Sequence, residues 1–500
     1  GVGQAARRRQ GDTDALVALL DDPSAEIRSQ AAKVLGDARC RKATDRLAEL
    51  LQDESPRVRL HAGIALSKVD ASRHVSKIVG MLEKNAGKDR FLRHAGVMAL
   101  ARVAQDGPAA IEKLRSHPSA EVRLASVVAL RRVKSPGVAI FLADMEPRVA
   151  TEAARAIHDD LSIMDALPAL AGALTRRDAQ EALQRRSLSA KLRVGDSASA
   201  LRIARFAARD DVSDALRAHA LQTLAAWLKP PALDQVQGTH RGLPPRQQAA
   251  AHAALDATLG QLFAAKSKTV QVELSRVIKE LKYDNAEKRV TELALDAKQP
   301  VALRVSALAA MSALNASELE RALASAASSD HPLLRIAALE ILCDRKPAEQ
   351  ATAVALNKAI ASESLRERQF AARVLGTTKS AQARRLLDEL FAKLVAGTAA
   401  DEMQLDVYQA ARSDERLAGA VSKLDAELTA TPLRQFQYAL AGGDPERGEA
   451  IFRDSPRAQC IRCHRIGGDQ QTVGPDLAKI ASRKPADYLL RSVVLPNAEI

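Results

Sequence analysis

Three residues near one end of a 500-residue chain have the types and spacing to do chemistry: Cys460, Cys463 and His464, in the stretch AQCIRCHRIGG (458–468). They form the pattern C-x-x-C-H and hold two of the four cysteines in the chain. Two thiols at this spacing could make a disulfide switch, contribute to a zinc site, or anchor a c-type haem with the histidine beneath the iron. With four Cys and ten His in 500 residues, the pattern is too rare to be dismissed as chance. The choice depends on the elements that must hold these side chains.

Apolar residues make up 47% of the chain but aromatic residues only 3%. Burial therefore has to rest on Ala, Leu and Val, which is the composition of closely packed helices. The length suits about three ordinary domains, or fewer in a repeat protein. The opening GVGQAARRRQ is basic, yet no apolar stretch follows it, and no uninterrupted apolar run of about 18 residues occurs anywhere. Neither a signal peptide nor a membrane span is visible. The chain enters a helical pattern without a starting Met, which reads as a processed chain or a piece of a longer one.

The formal net charge is +13. From Gly443 onward there are nine Lys or Arg and eight Asp or Glu, so this segment carries about +1 and the residues before it about +12. Such a surface could attract an acidic protein, anionic lipid head groups or nucleic acid. It is equally the solvated face of Arg-rich helices. Few aromatics argue against single-stranded nucleic acid, whose binding usually needs stacking platforms.

One block returns along the chain: DPSAEIRSQAAKVLG from Asp22, ESPRVRLHAGIALSK from Glu54, HPSAEVRLASVVALRR from His117, DHPLLRIAALEIL from Asp330 and SESLRERQFAARVLG from Ser362. A polar or Pro turn is followed by Arg, then Ala positions, then an aliphatic pair. Arg28, Arg59, Arg93 and Arg123 recur at steps of 31, 34 and 30, and Arg304, Arg335 and Arg368 at steps of 31 and 33. Periods of this size mean a solenoid. Asp or Ser before Pro is expected to cap each helix, and the stripe Ile27, Ala31, Val34 and Leu35 to bury one face of the first. No single helix pair can cover that face, so many must stack. The Arg residues recur in block after block, which predicts inter-repeat hydrogen bonding rather than ligand binding. These features resemble the HEAT family of helical repeats over roughly residues 12–430, a likeness that implies fold and says little about function.

The stretch WLKPPALDQVQGTHRGLPPRQQ (227–248) breaks the period. Paired prolines at 230/231 and 244/245 exclude a regular helix, so it must be a loop. It reads either as a tolerated insertion or as a docking element.

Against this background, zinc is short of ligands. Cys463 and His464 are adjacent and bite one tetrahedral ion awkwardly, while Cys40 and Cys343 lie in separate repeats as small buried residues. A thioredoxin-like pair wants a strand before it, and none reads here. The haem reading uses every position. Upstream, GGDPERGEAIF (442–452) starts a helix with Asp444 as N-cap and Pro445 at its first position; downstream come VGPDL (473–477) and a second Pro-started helix, PADYLLRSVVLP (485–496).

This layout resembles class I c-type cytochromes: Gly448 and Phe452 on a first helix, C-x-x-C-H, then G-P-x-L. The resemblance implies one covalent haem c on Cys460 and Cys463, with His464 as proximal iron ligand. It further implies that the Pro475 carbonyl receives the His464 Nδ1 hydrogen, and that Leu477 and Phe452 support the haem. The whole chain is similar to planctomycete and verrucomicrobial haem-binding C-x-x-C-H proteins, in which HEAT-like repeats precede a small cytochrome domain. Many of these carry an upstream domain resembling quinone-dependent sugar dehydrogenases, so the likeness implies a redox partner protein or an upstream dehydrogenase domain. No residue of this chain supports a dehydrogenase activity of its own. Covalent haem attachment occurs outside the cytoplasm, which implies a periplasmic or otherwise exported protein.

The expected fold is therefore all-α: a HEAT-like solenoid over 1–435, interrupted by the Trp/Pro-rich insertion 227–248, then a cytochrome c-like domain over 442–500. The family pattern continues beyond LPNAEI to a distal Met, which implies that the chain stops inside that domain. The expected function is electron transfer by a haem module on a helical scaffold, rather than catalysis. The alternative is an interaction scaffold whose basic surface binds an acidic protein or nucleic acid.

Overall fold

A computed structural model describes residues 4, 13–345, 349–429, 431–455, 457–467 and 472–497. The described residues form helices and two isolated β-bridges, with no longer strand among them. The chain is an all-α solenoid. Contacts divide it into two compact units, Gly1–Phe206 and Ala207–Ile500. The segment carrying C-x-x-C-H belongs to the second. Among the described residues no helix is long and apolar enough to cross a membrane.

In the first unit the helices Ala25–Asp37, Pro56–Leu66, Arg90–Asp106, Ala120–Arg132, Pro147–His158 and Glu181–Val194 stack in succession, each against the next. Shorter helices between them form the second layer. In the second unit the same stack runs through Asp214–Ala225, Lys268–Leu281, Val301–Leu314, Pro332–Asp344, Leu365–Leu375 and Asp401–Ser413. The core is built from Leu, Ala and Val, with few rings, as the composition required.

Of the expected stripe in the first block, Ala31 and Leu35 are buried and Val34 is half-buried against the core, but Ile27 is not covered. Ile27 is 41% exposed, whereas Ser29, Ala31, Ala32, Leu35 and Gly36 are buried. A solenoid helix has neighbours on two sides, so its covered arc is wider than a surface helix's and turned away from Ile27. The capping differs too. Ser24 and Ser55 precede their helices without a side-chain cap. Instead the turn aspartates hold the turn itself: Asp22 accepts from Ser24 N at 2.8 Å, Asp53 from Ser55 N at 2.9 Å and Asp144 from Glu146 N at 2.8 Å.

The recurrent arginines complete these turns. Arg28 donates to the carbonyls of Asp22 and Pro23 and, with two nitrogens, to the Asp53 carboxylate of the next block at 2.8 and 3.0 Å. Arg123 repeats this with His117 O, Pro118 O and Asp144. Arg335 does so with Ser329 O and Glu367, while Arg59 and Arg368 each close two turn carbonyls. Arg93 departs from the pattern and stands exposed. Its turn is already tied by Asn85, which bonds both the N–H and the carbonyl of Asp89 at 3.0 Å, and by Asp89 capping Phe91 N at 2.7 Å.

Burial pushes Asp53 up, but the hydrogen bonds from Arg28 and Ser55 outweigh it and hold the carboxyl below its ordinary 3.8. Glu367 is held below its ordinary value in the same way: burial raises it, and Arg335 and Ser362 more than offset that. A carboxylate depressed in the folded state stabilises it above the unfolded pKa, and the contribution disappears as pH falls through the lower folded value. The repeat turns therefore loosen in acid, below about pH 4. Arg123→Met leaves the nearly buried Asp144 without its fork and should cost about 2–3 kcal/mol locally. Hydrogen exchange should show lost protection across residues 117–158; unchanged protection there would refute the turn role.

Candidate haem-binding turn

The site is assembled from three short elements of the second unit. The Pro445–Asp454 helix begins as expected, with the Asp444 carboxylate accepting from Arg447 N at 3.1 Å and the Asp444 carbonyl from Gly448 N at 2.9 Å. After it, Gln459 takes a left-handed conformation (φ 49°) and Cys460–Arg462 closes one tight 3₁₀ turn. His464 N donates to Cys460 O at 2.9 Å, and this winds the pentapeptide so that both thiols and the imidazole project from one turn. Cys460 is half-buried and Cys463 exposed.

The strand-like segment after the motif runs beside it. Gly474 N donates to Cys463 O at 2.7 Å and Leu477 N to Arg465 O at 2.8 Å, and Arg465 and Asp476 form a parallel bridge. The Asp476 carboxylate accepts from Ala478 N at 2.9 Å, Gly467 N at 3.0 Å and Arg465 Nε at 3.1 Å. The two backbone donors and then the guanidinium hold Asp476 below the usual carboxylate range. The pairing places Pro475 O 3.0 Å from His464 Nδ1. A carbonyl can only accept, so Nδ1 carries the hydrogen in this contact, and Nε2 is the ring nitrogen left for a metal. This is the arrangement of a metal-ligating histidine with its outer partner.

Gly474 is what lets the two segments lie so close. A Cβ there would stand 2.8 Å from Cys463 O and 2.8 Å from the Cε1 and Nδ1 of His464. The glycine of the expected G-P-x-L is thus required by the imidazole itself, a role the sequence reading had not assigned to it.

Phe452 and Leu477 are half-buried beside the turn's flanking elements, and the structure places neither against His464 by any hydrogen bond or ring contact. The apolar residues of this segment are short of protein to cover them. Ile451 on the first helix is exposed, Val473 is 95% and Val493 80% exposed, and no described residue of the Ala486–Val494 helix is buried. Two amphipathic helices flanking a C-x-x-C-H turn, with these apolar residues left exposed, have apolar surface to offer a large flat apolar group. The donor set fits haem as well: two thiols, and one imidazole with its tautomer set. Cys40 and Cys343 take no part. Cys40 is buried with its thiol 3.4 Å from Thr13 Oγ1, and burial pushes the Cys343 thiol up to about 11.

The comparisons agree with this reading. A family model of HEAT repeats matches residues 13–101, and a cytochrome c model matches residues 445–499. No curated protein matches the chain. Among solved structures, the chain is similar to Kap121p bound to Nup53p (12% identity over 91% of this chain and 58% of that one, TM-score 0.47). It is also similar to importin beta in an ammonium sulfate condition (14%, 100% and 80%, 0.43). A third likeness is to the CpcE and CpcF complex of phycocyanin lyase from Nostoc sp. PCC7120 (21%, 51% and 96%, 0.23). None of the three reaches a TM-score of 0.5, and the fold rests on the chain's own helices. The chain carries HEAT repeats followed by a cytochrome c domain.

Proposed function

We propose that this protein is an electron-transfer cytochrome, with one haem c covalently bound to Cys460 and Cys463, carried on a helical-repeat scaffold. The observation that carries the reading is the 3.0 Å approach of His464 Nδ1 to Pro475 O at the foot of an intact C-x-x-C-H turn. Haem, when bound, supplies a one-electron couple at its iron. The residues do the rest. With haem present, the Cys460 and Cys463 thiols would each add across a vinyl group, Sγ taking one carbon and hydrogen the other, with no net oxidation. His464 would offer Nε2 to the iron, and the Pro475 carbonyl at 3.0 Å from Nδ1 would hold that ring's orientation. Leu477 and Phe452 would lie with the exposed valines against the porphyrin and keep water from it. The electrons come from and go to a redox partner protein or an upstream dehydrogenase domain. Because thioether attachment takes place outside the cytoplasm, this reading implies a periplasmic or otherwise exported protein. The likeness to planctomycete and verrucomicrobial C-x-x-C-H proteins supports this setting.

A scaffold that grips an acidic partner through the +13 chain, with no haem at all, is the competing reading. Protein made in a host with cytochrome c maturation should keep its haem stain after denaturation and acid-acetone extraction. Cys460→Ser or Cys463→Ser should weaken retention, and the double substitution should abolish it. Pigment that washes out of the unsubstituted chain would refute thioether attachment.

A further inference from the structure

The proline-rich excursion between the Asp214–Ala225 and Gln248–Asp256 helices is an ordered knuckle. Trp227 at its start is fully buried; its indole N–H donates to Gln247 O at 3.1 Å, and Arg246 N donates to Trp227 O at 3.3 Å. These bonds pinch the two ends together, so the excursion leaves and returns at one point. Beyond the neck, Leu233 and His240 form an antiparallel bridge, Asp234 N donates to Thr239 O at 2.9 Å, and Arg241 N to Ala232 O at 2.8 Å. The Asp234 carboxylate accepts from Val236 N and Gln237 N at 3.0 Å each, and Gly238 N donates to Asp234 O at 2.7 Å. Arg241 holds Gln237 Oε1 at 2.8 Å and lies 3.9 Å from the Asp234 carboxylate, both side chains being almost covered. A loop this thoroughly bonded to itself keeps one shape.

At the tip of that shape sits Gly238, with φ +65°. A Cβ there would come within 2.5 Å of Ile461 Cγ1, 2.9 Å of Ile461 Cδ1 and 3.4 Å of Arg462 N. Ile461 and Arg462 are the two residues between the cysteines of C-x-x-C-H. The loop, some 220 residues earlier in the chain, therefore touches the haem-binding turn at its variable pair.

The other end of the segment is held as well. Arg373 of the Leu365–Leu375 helix donates to Asp444, the cap of the first cytochrome helix, at 2.9 Å, and to the nearly buried Asp406 at 3.2 Å. Gly442 packs so that a Cβ would be 3.1 Å from Glu402 O and from Leu405 Cβ.

We propose that the 227–248 excursion is a seat for the C-x-x-C-H turn, with Gly238 and Ile461 as positioning residues that dock the haem segment on the repeats of the second unit. The segment is then a fixed head and not a tethered one. A redox partner that recognises these repeats meets the haem in a set place. The docking rests on the contacts alone; its consequence for the haem rests on the function proposed above.

The test is a double-mutant cycle on the full-length chain with Gly238→Asn and Ile461→Ala. Asn tolerates the left-handed conformation, so its main effect is the clash, and removing Cγ1 and Cδ1 of Ile461 makes room for it. Gly238→Asn should raise the rate of protease cleavage in the 429–444 connection about tenfold, which corresponds to a contact of ordinary mutational size. Ile461→Ala added to it should recover more than half of that effect. Ile461→Glu, which approaches the contact from the other side, should free the connection to a similar extent, and circular dichroism checks that each variant remains helical. In the haem-loaded protein the midpoint potential should shift with Gly238→Asn and return towards the parent value in the double variant. Additive effects on cleavage, or a connection equally resistant in all variants, would overturn the seat. Coupled cleavage in a chain that binds no haem would keep the seat and reject the cytochrome reading.

Discussion

Gly474→Val should leave pigment on the chain but take His464 off the iron. The contacts that a side chain at 474 would make are with the Cys463 carbonyl and the His464 ring rather than with either thiol, so covalent attachment should continue. The imidazole is another matter. Any Cβ at position 474 would sit 2.8 Å from its Nδ1 and Cε1 and from Cys463 O, contacts that real side chains do not make. Relief requires either turning the ring off Pro475 O or prising the 472–477 segment from Arg465, and both misdirect Nε2. Losing an outer partner of a metal-bound histidine typically weakens the metal site about 10–100-fold. The expected readout is a changed Soret band and midpoint potential, with the parent spectrum regained on adding millimolar imidazole. A variant whose spectrum and potential match the parent would show that the Pro475 contact does not orient the ligand. Gly474→Ala should fall between the two, since one methyl can be accommodated by a smaller shift.

The second large effect is on carbon monoxide. Between Arg465 and Ile500 there is no Met and no second His. In the second unit Met311 and Met403 are both buried within the repeat core, where they serve packing. Lys484, a conceivable substitute, holds its ammonium over the Tyr488 ring at 4.1 Å and would have to leave that contact to reach a metal. The reduced 500-residue protein should therefore bind carbon monoxide readily and show a high-spin spectrum in its absence. A low-spin, carbon-monoxide-inert protein would show that a residue already present completes the coordination. His240, exposed on the loop whose Gly238 meets Ile461, is then the first side chain to replace.

Much of this protein was legible without coordinates, because its two main signals are local. Steps of 30 to 34 residues between Arg-containing blocks specify a repeated helical unit whatever the distant chain does. C-x-x-C-H is equally local: its thiols and imidazole are brought together by one 3₁₀ turn, and Asp444 caps its helix as the sequence led one to expect. The partner of His464 was expected only through the resemblance to class I cytochromes, and the short parallel pairing of Arg465 with Asp476 is what brings Pro475 to it.

What needed the tertiary structure is whatever depends on neighbours far along the chain. Ile27 looked buried because a helical stripe is counted on one helix alone, yet stacked helices on two sides decide which arc is covered. Arg93 shared the period of Arg28, Arg59 and Arg123, but Asn85 had already bonded the turn it would have closed. The Trp/Pro-rich stretch announced itself only as a break in the repeat. Its Gly238 rests on Ile461, and no periodicity, propensity or motif links residues that distant. Composition and spacing pointed to a helical solenoid followed by a C-x-x-C-H turn, and the chain carries HEAT repeats followed by a cytochrome c domain. Where that turn is held was decided by packing, since burial and close contact are properties of pairs that sequence order does not reveal.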